Sequence, residues 1–274
     1  MTTKSGAELF HFPLRTAAVV AVVAGALMVL PQLSFASGVG RGGAALSEQD
    51  AAPQAKAKLN KGQFKDVQVR VDANGIATLT GTVTLYEYKA DAQKRVHNVK
   101  GVAAVRNMIE VAGPSVSDRE LQDKLVEKLS YDRVGYGNLF NAISVRVENG
   151  VAILGGHART DVDKDSAVAL VSTQSGVKDV IAEIEVDPVS LMDDQTRMAV
   201  ARAIYGYPSL NKYAIDPAKP IRIAVQHGNV ELYGVVDSQT DKDTAFLRAN
   251  GVPGIFSVKN YLQVAGAASE SAQR

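Results

Sequence analysis

Three segments of this chain carry one frame of small residues: Gly75, Gly81, Ala92 and Gly101; Gly150, Gly156, Ala167 and Gly176; Gly228, Gly234, Ala245 and Gly254. The internal offsets are identical each time. Apolar pairs stand at matching places around the frame, with Val69/Val71, Val145/Val147 and Ile223/Val225 ahead of it and Ile109/Val111, Ile184/Val186 and Leu262/Val264 behind it. Such a pattern describes an array of one small module, and a module of this size buries little core of its own, so neighbours share stability.

Local chemistry gives each frame position a role. Val67, Val69 and Val71 alternate with polar residues, Asn74-Gly75 supplies a turn, and Ala77 and Leu79 alternate with Ile76, Thr78 and Thr80, which reads as a β-hairpin. Gly81 closes the second strand. Thr84 and Glu87 have capping-box spacing, Ala92, Val96 and Val99 form an apolar helical face, and Gly101 is a helix-ending glycine, with Ala92 where helix and sheet come close. Repeats 2 and 3 follow suit, with Thr160/Asp163 and Ser238/Asp241 as cap and first-turn acid. The apolar run after each frame is a third strand.

A leading helix precedes the hairpin in two repeats. Ser117 to Glu120 is a capping box running into Leu121, Leu125 and Leu129, and Met198, Ala201 and Ile204 have helical spacing in repeat 3. In repeat 1, Pro53 interrupts the segment and only Ala55, Leu59 and Phe64 offer an apolar face, so its first helix is expected to be short or absent.

Helix-strand-strand-helix-strand, with "VRVENGVAILGG" and a late GVxxVxN (Gly101, Val102, Val105, Asn107; Gly254, Ile255, Val258, Asn260), resembles the BON domain, the module of OsmY-type bacterial envelope proteins. The resemblance runs from about Ala52 to Gly266 and weakens where Ala182 replaces the Asn in repeat 2. It implies an α+β fold of three tandem small αββαβ sandwiches, each a mixed three-stranded sheet with helices on one face. It also implies a role in binding phospholipid or other envelope components without catalysis, and carries no catalytic residue.

The expected organisation is a signal peptide over 1–36, a flexible leader over 37–53, repeats over 54–114, 115–189 and 190–266, and a tail over 267–274. Lys4 and Arg15 precede an apolar run from Thr16 to Leu30, and Ser34-Phe35-Ala36 places small residues at a cleavage site after Ala36. The alternative is an inner-membrane anchor on residues 16–30, which is shorter than the roughly 20 residues a span needs. Export to the periplasm follows from the first reading. With no cysteine, the chain has no disulfide, no thiolate chemistry and no acylated anchor.

Catalytic and cofactor signals are weak throughout, so no enzyme, cofactor or metal is expected. Gly38 to Gly43 matches GxGxxG but follows the apolar segment rather than a strand, and Asp161, Asp163 and Asp165 lack the Gly and Glu of a calcium loop. His97, His157 and His227 lie far apart, with His157 and His227 read as surface residues. Absent Trp and few aromatics argue against nucleic acid as a partner.

Charge is uneven. Residues 51–114 hold 10 Lys/Arg against 5 Asp/Glu, 115–189 hold 8 against 13, and 190–266 hold 8 against 7. Repeat 1 is therefore the candidate lipid-binding module, through Lys56, Lys58, Lys61, Lys65, Arg70, Lys94, Arg95, Lys100 and Arg106. Tyr131, Tyr136 and Phe140, with Tyr205, Tyr207 and Tyr213, form aromatic loops suited to a membrane interface, or else roof the small cores. The functional expectation is a periplasmic protein that binds anionic phospholipid or another envelope component and supports envelope integrity or stress tolerance, osmotic stress included. A periplasmic chaperone or scaffold for envelope proteins is the alternative.

Overall fold

The structure, a computed structural model, describes residues 48–132, 138–216 and 218–265. The expected signal segment, most of the leader, the tail, and the candidates Tyr136 and Gly38 to Gly43 lie outside them. Repeat 1 runs α1 (Glu48–Lys58), β1 (Val67–Val71), β2 (Ile76–Val83), α2 (Tyr86–His97) and β3 (Ala104–Val111). Repeat 2 runs α3 (Asp118–Tyr131), β4 (Ala142–Glu148), β5 (Val151–Ala158), α4 (Asp161–Ser172), β6 (Asp179–Ala182) and β7 (Glu185–Val186). Repeat 3 runs α5 (Leu191–Tyr205), β8 (Arg222–Gln226), β9 (Asn229–Tyr233), β10 (Val235–Val236), α6 (Gln239–Asn250), β11 (Ser257–Asn260) and β12 (Gln263–Val264).

Each hairpin is antiparallel, and its second strand is central because the third strand returns beside it in parallel. Alternation then sorts the side chains. Val67, Val69, Val71, Ala77 and Leu79 face the two helices of repeat 1, and their neighbours in sequence face away. Ala92, Ala167 and Ala245 are fully buried in the three cores, as expected for a close helix-sheet approach. The frame glycines all take positive φ. At Gly81, φ is +114° and an added Cβ would lie 2.0 Å from the Asp66 carbonyl oxygen, so backbone passes where a side chain would sit. In repeats 2 and 3 the third strand breaks after Ala182 and Asn260, opposite Gly156 and Gly234, whereas β3 is continuous.

α1, expected to be short or absent, is present and short, over eleven residues, three to four fewer than α3 and α5; two other local expectations need correction. Ala51, Ala55 and Leu59, spaced four apart, bury its inner side while Pro53 stays on the exposed side. The cap of α2 is Leu85, not Thr84, and no side chain bonds its first turn, whereas Thr160 and Ser238 cap α4 and α6. Met198 is 48% exposed; the inner side of α5 is Arg197, Val200, Ala201 and Ile204.

Two polar devices recur. Asp118, beside the cap of α3, accepts from Asn149 N and Gly150 N at 2.6 and 2.8 Å, and Asp193 in α5 accepts from His227 N and Gly228 N at 3.0 and 2.9 Å. In repeats 2 and 3 the leading helix thus clamps its own hairpin turn, whereas in repeat 1 the turn amides of Asn74 and Ile76 go to Asp72 of the hairpin itself. Burial pushes Asp193 up, but the Gly228 and His227 amides outweigh it and hold the carboxyl below its ordinary range. Asn107 donates to the Lys89 carbonyl and accepts from Ile109 N, and Asn260 does the same with Lys242 and Leu262. That is the physical content of the Asn in GVxxVxN. In repeat 2, where Ala182 replaces it, Lys164 Nζ reaches the Ile184 carbonyl at 3.1 Å.

Candidate functional site

The side of each sheet turned away from its helices is where the repeats differ. In repeat 1 this face carries Gln68, Arg70, Thr80, Arg106 and Met108, all exposed, with Arg70, Thr78 and Arg106 in one cross-strand row. In repeats 2 and 3 the corresponding faces meet each other. Ala142 of β4 packs with Ala224 and Tyr233, and Tyr261 stacks on Tyr233 with ring centroids 5.1 Å apart. The short 3-10 turn Asn138–Phe140 extends this contact, placing Leu139 and Phe140 against the repeat 3 core. Repeat 1 joins repeat 2 by another route. Tyr86 packs on the repeat 2 core with its hydroxyl at Asp179 and the Val180 amide, and Lys89 lies 3.7 Å from Asp179.

The nine basic candidates divide between two opposite faces. Lys56, Lys58, Lys61, Lys94 and Lys100 stand exposed on the helix side and its loops, while Arg70 and Arg106 project from the sheet side. None of these seven makes an ion pair among the described residues. Lys65 sits 4.0 Å from Asp66, and Arg95 is half-buried over the Phe64 ring with its Nε 2.8 Å from Asp91. Arg95 is therefore a structural cation, engaged in holding helix to loop.

The aromatic candidates split as well. Tyr131 and Tyr207 are exposed, the latter under the Arg248 guanidinium. Tyr205 packs against the core and donates to the Ile221 carbonyl, and Tyr213 is buried with its hydroxyl on Asp241 and the Asp237 amide. Burial, chiefly, pushes the Tyr213 hydroxyl up to about 12. Phe140, Tyr205 and Tyr213 thus pack on the repeat 3 core.

Sequence reasoning missed a polar cleft at the junction of repeats 2 and 3. Its volume is about 350 Å³, and its walls include His157 and Asp187 on one side and Gln226, Asn229, Glu231 and Lys259 on the other. His157, expected at the surface, is 19% exposed, with Nδ1 3.3 Å from Asp187 Oδ1 and Nε2 3.6 Å from Glu231 Oε2. Asp187 is almost fully buried and paired with Arg197 at 2.7 Å, and Arg197 also donates to the Val225 carbonyl and to Asp194. Glu231 receives Lys259 Nζ at 2.9 Å and the Tyr233 hydroxyl. The adjacent Asp187 carboxylate, helped by Glu231 and Glu185 and opposed by burial, raises His157 above its ordinary 6.5. Burial pushes Glu231 up, yet Tyr233 and Lys259 prevail and lower it. The sequence shows each residue singly; only the packing of one repeat on the next brings them together. Among the described residues no group of three or more His, Asp or Glu is placed to hold a metal ion.

The repeated hairpin-helix-strand unit, with its glycine frame and Asn lock, defines a tandem array of small α+β modules. Residues 47–113, 117–188 and 193–266 each match the BON domain family, and the chain belongs to it. No curated protein matches. Among solved structures, two of CdsD, a structural protein of the type III secretion system of Chlamydia trachomatis, are 16% identical. The C-terminal domain covers 78% of this chain and 97% of its own, with a TM-score of 0.21, and the other covers 82% and 98%, at 0.23. The periplasmic domain of PrgH, a type III secretion inner-membrane protein of S. typhimurium, is 13% identical over 76% of this chain and 98% of its own, at 0.17. Likenesses at such TM-scores carry no argument about this chain.

Proposed function

We propose that this protein is exported to the periplasm and binds anionic phospholipid, without catalysis, in support of envelope integrity under stress. The observation that carries the reading is the charge of repeat 1, whose exposed Lys56, Lys58, Lys61, Arg70, Lys94, Lys100 and Arg106 have no ion pairs among the described residues. Near an anionic surface each such residue contributes about 1 kcal/mol, and salt screens the attraction. No helix among the described residues is long and apolar enough to cross a membrane, and residues 16–30 are outside them. BON membership supports an envelope role.

Co-sedimentation with neutral and anionic vesicles, at low and high salt, tests the reading. The mature chain should pellet only with anionic vesicles and be released by salt. Because a flat bilayer meets one face, K56E/K58E/K61E and R70E/R106E should differ, and the set that abolishes pelleting marks the lipid-facing side. Equal retention on neutral vesicles, or none on either, overturns it. A chaperone or scaffold is the second reading, favoured by Leu191, Met192 and Phe256, 72% to 83% exposed. Phe256 borders Gly228 in the turn that Asp193 of α5 clamps, so these apolar side chains gather at one end of repeat 3. Client holding by that end would survive salt.

A further inference from the structure

We infer that the open edge of β3 pairs, antiparallel, with the same edge of a second copy of this chain, about a two-fold axis through Met108. β3 runs for eight residues in unbroken register beside β2, from Ala104 next to Ile76 to Val111 next to Val83, and among the described residues no strand pairs with its other side. The equivalent strands of repeats 2 and 3 are cut into four-residue and two-residue pieces, so only repeat 1 presents a long third-strand edge. Short strands, bulges, lysine and proline are the usual guards of an edge, and the sequence AVRNMIEV of β3 holds none of them.

The hydrogen bonds already made fix which backbone groups face outwards. Ala112 N donates to the Val83 carbonyl at the end of β2, whereas Ile109 N turns away from β2 to the Asn107 side-chain oxygen at 3.2 Å. By alternation, the N–H and C=O groups of Val105, Asn107, Ile109 and Val111 point out from the edge.

Side chains select the partner. Arg106, Met108 and Glu110 stand on the outer face, all exposed, Met108 by 58%, and among the described residues neither charge makes an ion pair. In an antiparallel copy centred on Met108, Arg106 lies opposite the partner's Glu110, Glu110 opposite the partner's Arg106, and the two Met108 side chains meet on the axis. The same centring makes Asn107 and the partner's Ile109 a hydrogen-bonded pair, so each Ile109 N–H exchanges the Asn107 side chain for a backbone carbonyl. Moving the axis by one residue either way takes Arg106 and Glu110 out of opposition. An unrelated strand carries no such match; a second copy carries it twice. One strand edge buries little area, so the dimer is weak and depends on concentration. Pairing leaves Arg70 and the helix-side lysines free, and it is tested without lipid, apart from vesicle binding.

The chain has no cysteine, so Met108→Cys places a lone thiol on the axis, opposite its own copy. Opposed Cα atoms in such a non-hydrogen-bonded pair lie about 4.5 Å apart, within disulfide reach. Oxidised glutathione should link the mature Met108→Cys chain into disulfide dimers far faster than Thr80→Cys, which is exposed on the central strand of the same face. Sedimentation of the cysteine-free chain over a concentration series supplies an independent measurement. Arg106→Glu or Glu110→Arg alone sets like charges opposite each other twice and should raise the dimer dissociation constant about tenfold or more, and the two changes together should restore it. All four positions are exposed, so these substitutions leave the core intact. Cross-linking of Met108→Cys no faster than of Thr80→Cys, a chain that stays monomeric at every concentration, or a dimer indifferent to both single reversals overturns the pairing.

Discussion

The outer sheet faces of repeats 1 and 3 occupy the same position in the module and have opposite fates. Where repeat 3 sets Ala224, Tyr233 and Tyr261 against repeat 2, repeat 1 sets Arg70, Thr80 and Met108 towards solvent. The cores beneath are built alike, from Val, Leu, Ile and Ala on the helix-facing positions. The fold is thus carried by one face of each strand, and the alternate face decides whether a module pairs within the chain or stays open to something else.

The largest break in that comparison is electrostatic. Arg197 is 3% exposed and neutralises Asp187, which is 1% exposed, so Arg197→Ala leaves a buried carboxylate without its partner and should cost about 3 to 5 kcal/mol. The urea midpoint of the repeat 2–3 unit reads it. Arg95→Ala in repeat 1 removes a cation that is 30% exposed, and should cost no more than about 1 kcal/mol. Equal losses in the two would show that the junction adds nothing to repeat 3.

Exchanging face residues sharpens the point. Tyr233→Thr, which gives repeat 3 the residue repeat 1 has at Thr80, removes a buried ring from the Ala142 contact and its stack on Tyr261, and should cost about 2 to 4 kcal/mol. The reverse change, Thr80→Tyr, adds a ring to an exposed position and should stay within about 0.5 kcal/mol. Thermal unfolding of both variants decides it, and a large loss from Thr80→Tyr would mean that the repeat 1 face is already occupied.

How much of this was legible in the sequence follows from how far each interaction reaches along the chain. The glycine frame, the alternating valines and the caps at Ser117, Thr160 and Ser238 act within a few residues, and they reappear in the structure. Asp118 and Asp193 act over 31 to 35 residues on the hairpin turns, and nothing local distinguishes them from first-turn acids at a helix dipole. His157 looked like a surface histidine because its partners Asp187 and Glu231 come from the following linker and from the next repeat. The basic excess of repeat 1 was plain in composition, yet its division between helix and sheet sides required the strand register. Pro53 left open whether α1 is short or absent; it is short, since a proline on the exposed side leaves the Ala51, Ala55 and Leu59 stripe intact.

Helix starts give the smallest effects and locate the softest part of the array. Ser238→Ala removes the acceptor for Asp241 N and should cost about 1 kcal/mol in repeat 3, by denaturant midpoint. α2 has no such cap to lose, because Leu85 contributes no side-chain acceptor. Its first turn is instead held by the neighbouring module, through Tyr86 and Lys89 on Asp179. Asp179 is about half exposed, so Asp179→Ala should cost less than about 1 kcal/mol in global stability. The change should be local, seen as faster amide exchange across the first turn of α2 with the Leu79 and Ile109 amides of the repeat 1 core unaffected. Exchange that rises evenly through repeat 1 would mean that repeats 1 and 2 unfold as one unit, and that the open sheet face belongs to a module unable to stand without its neighbour.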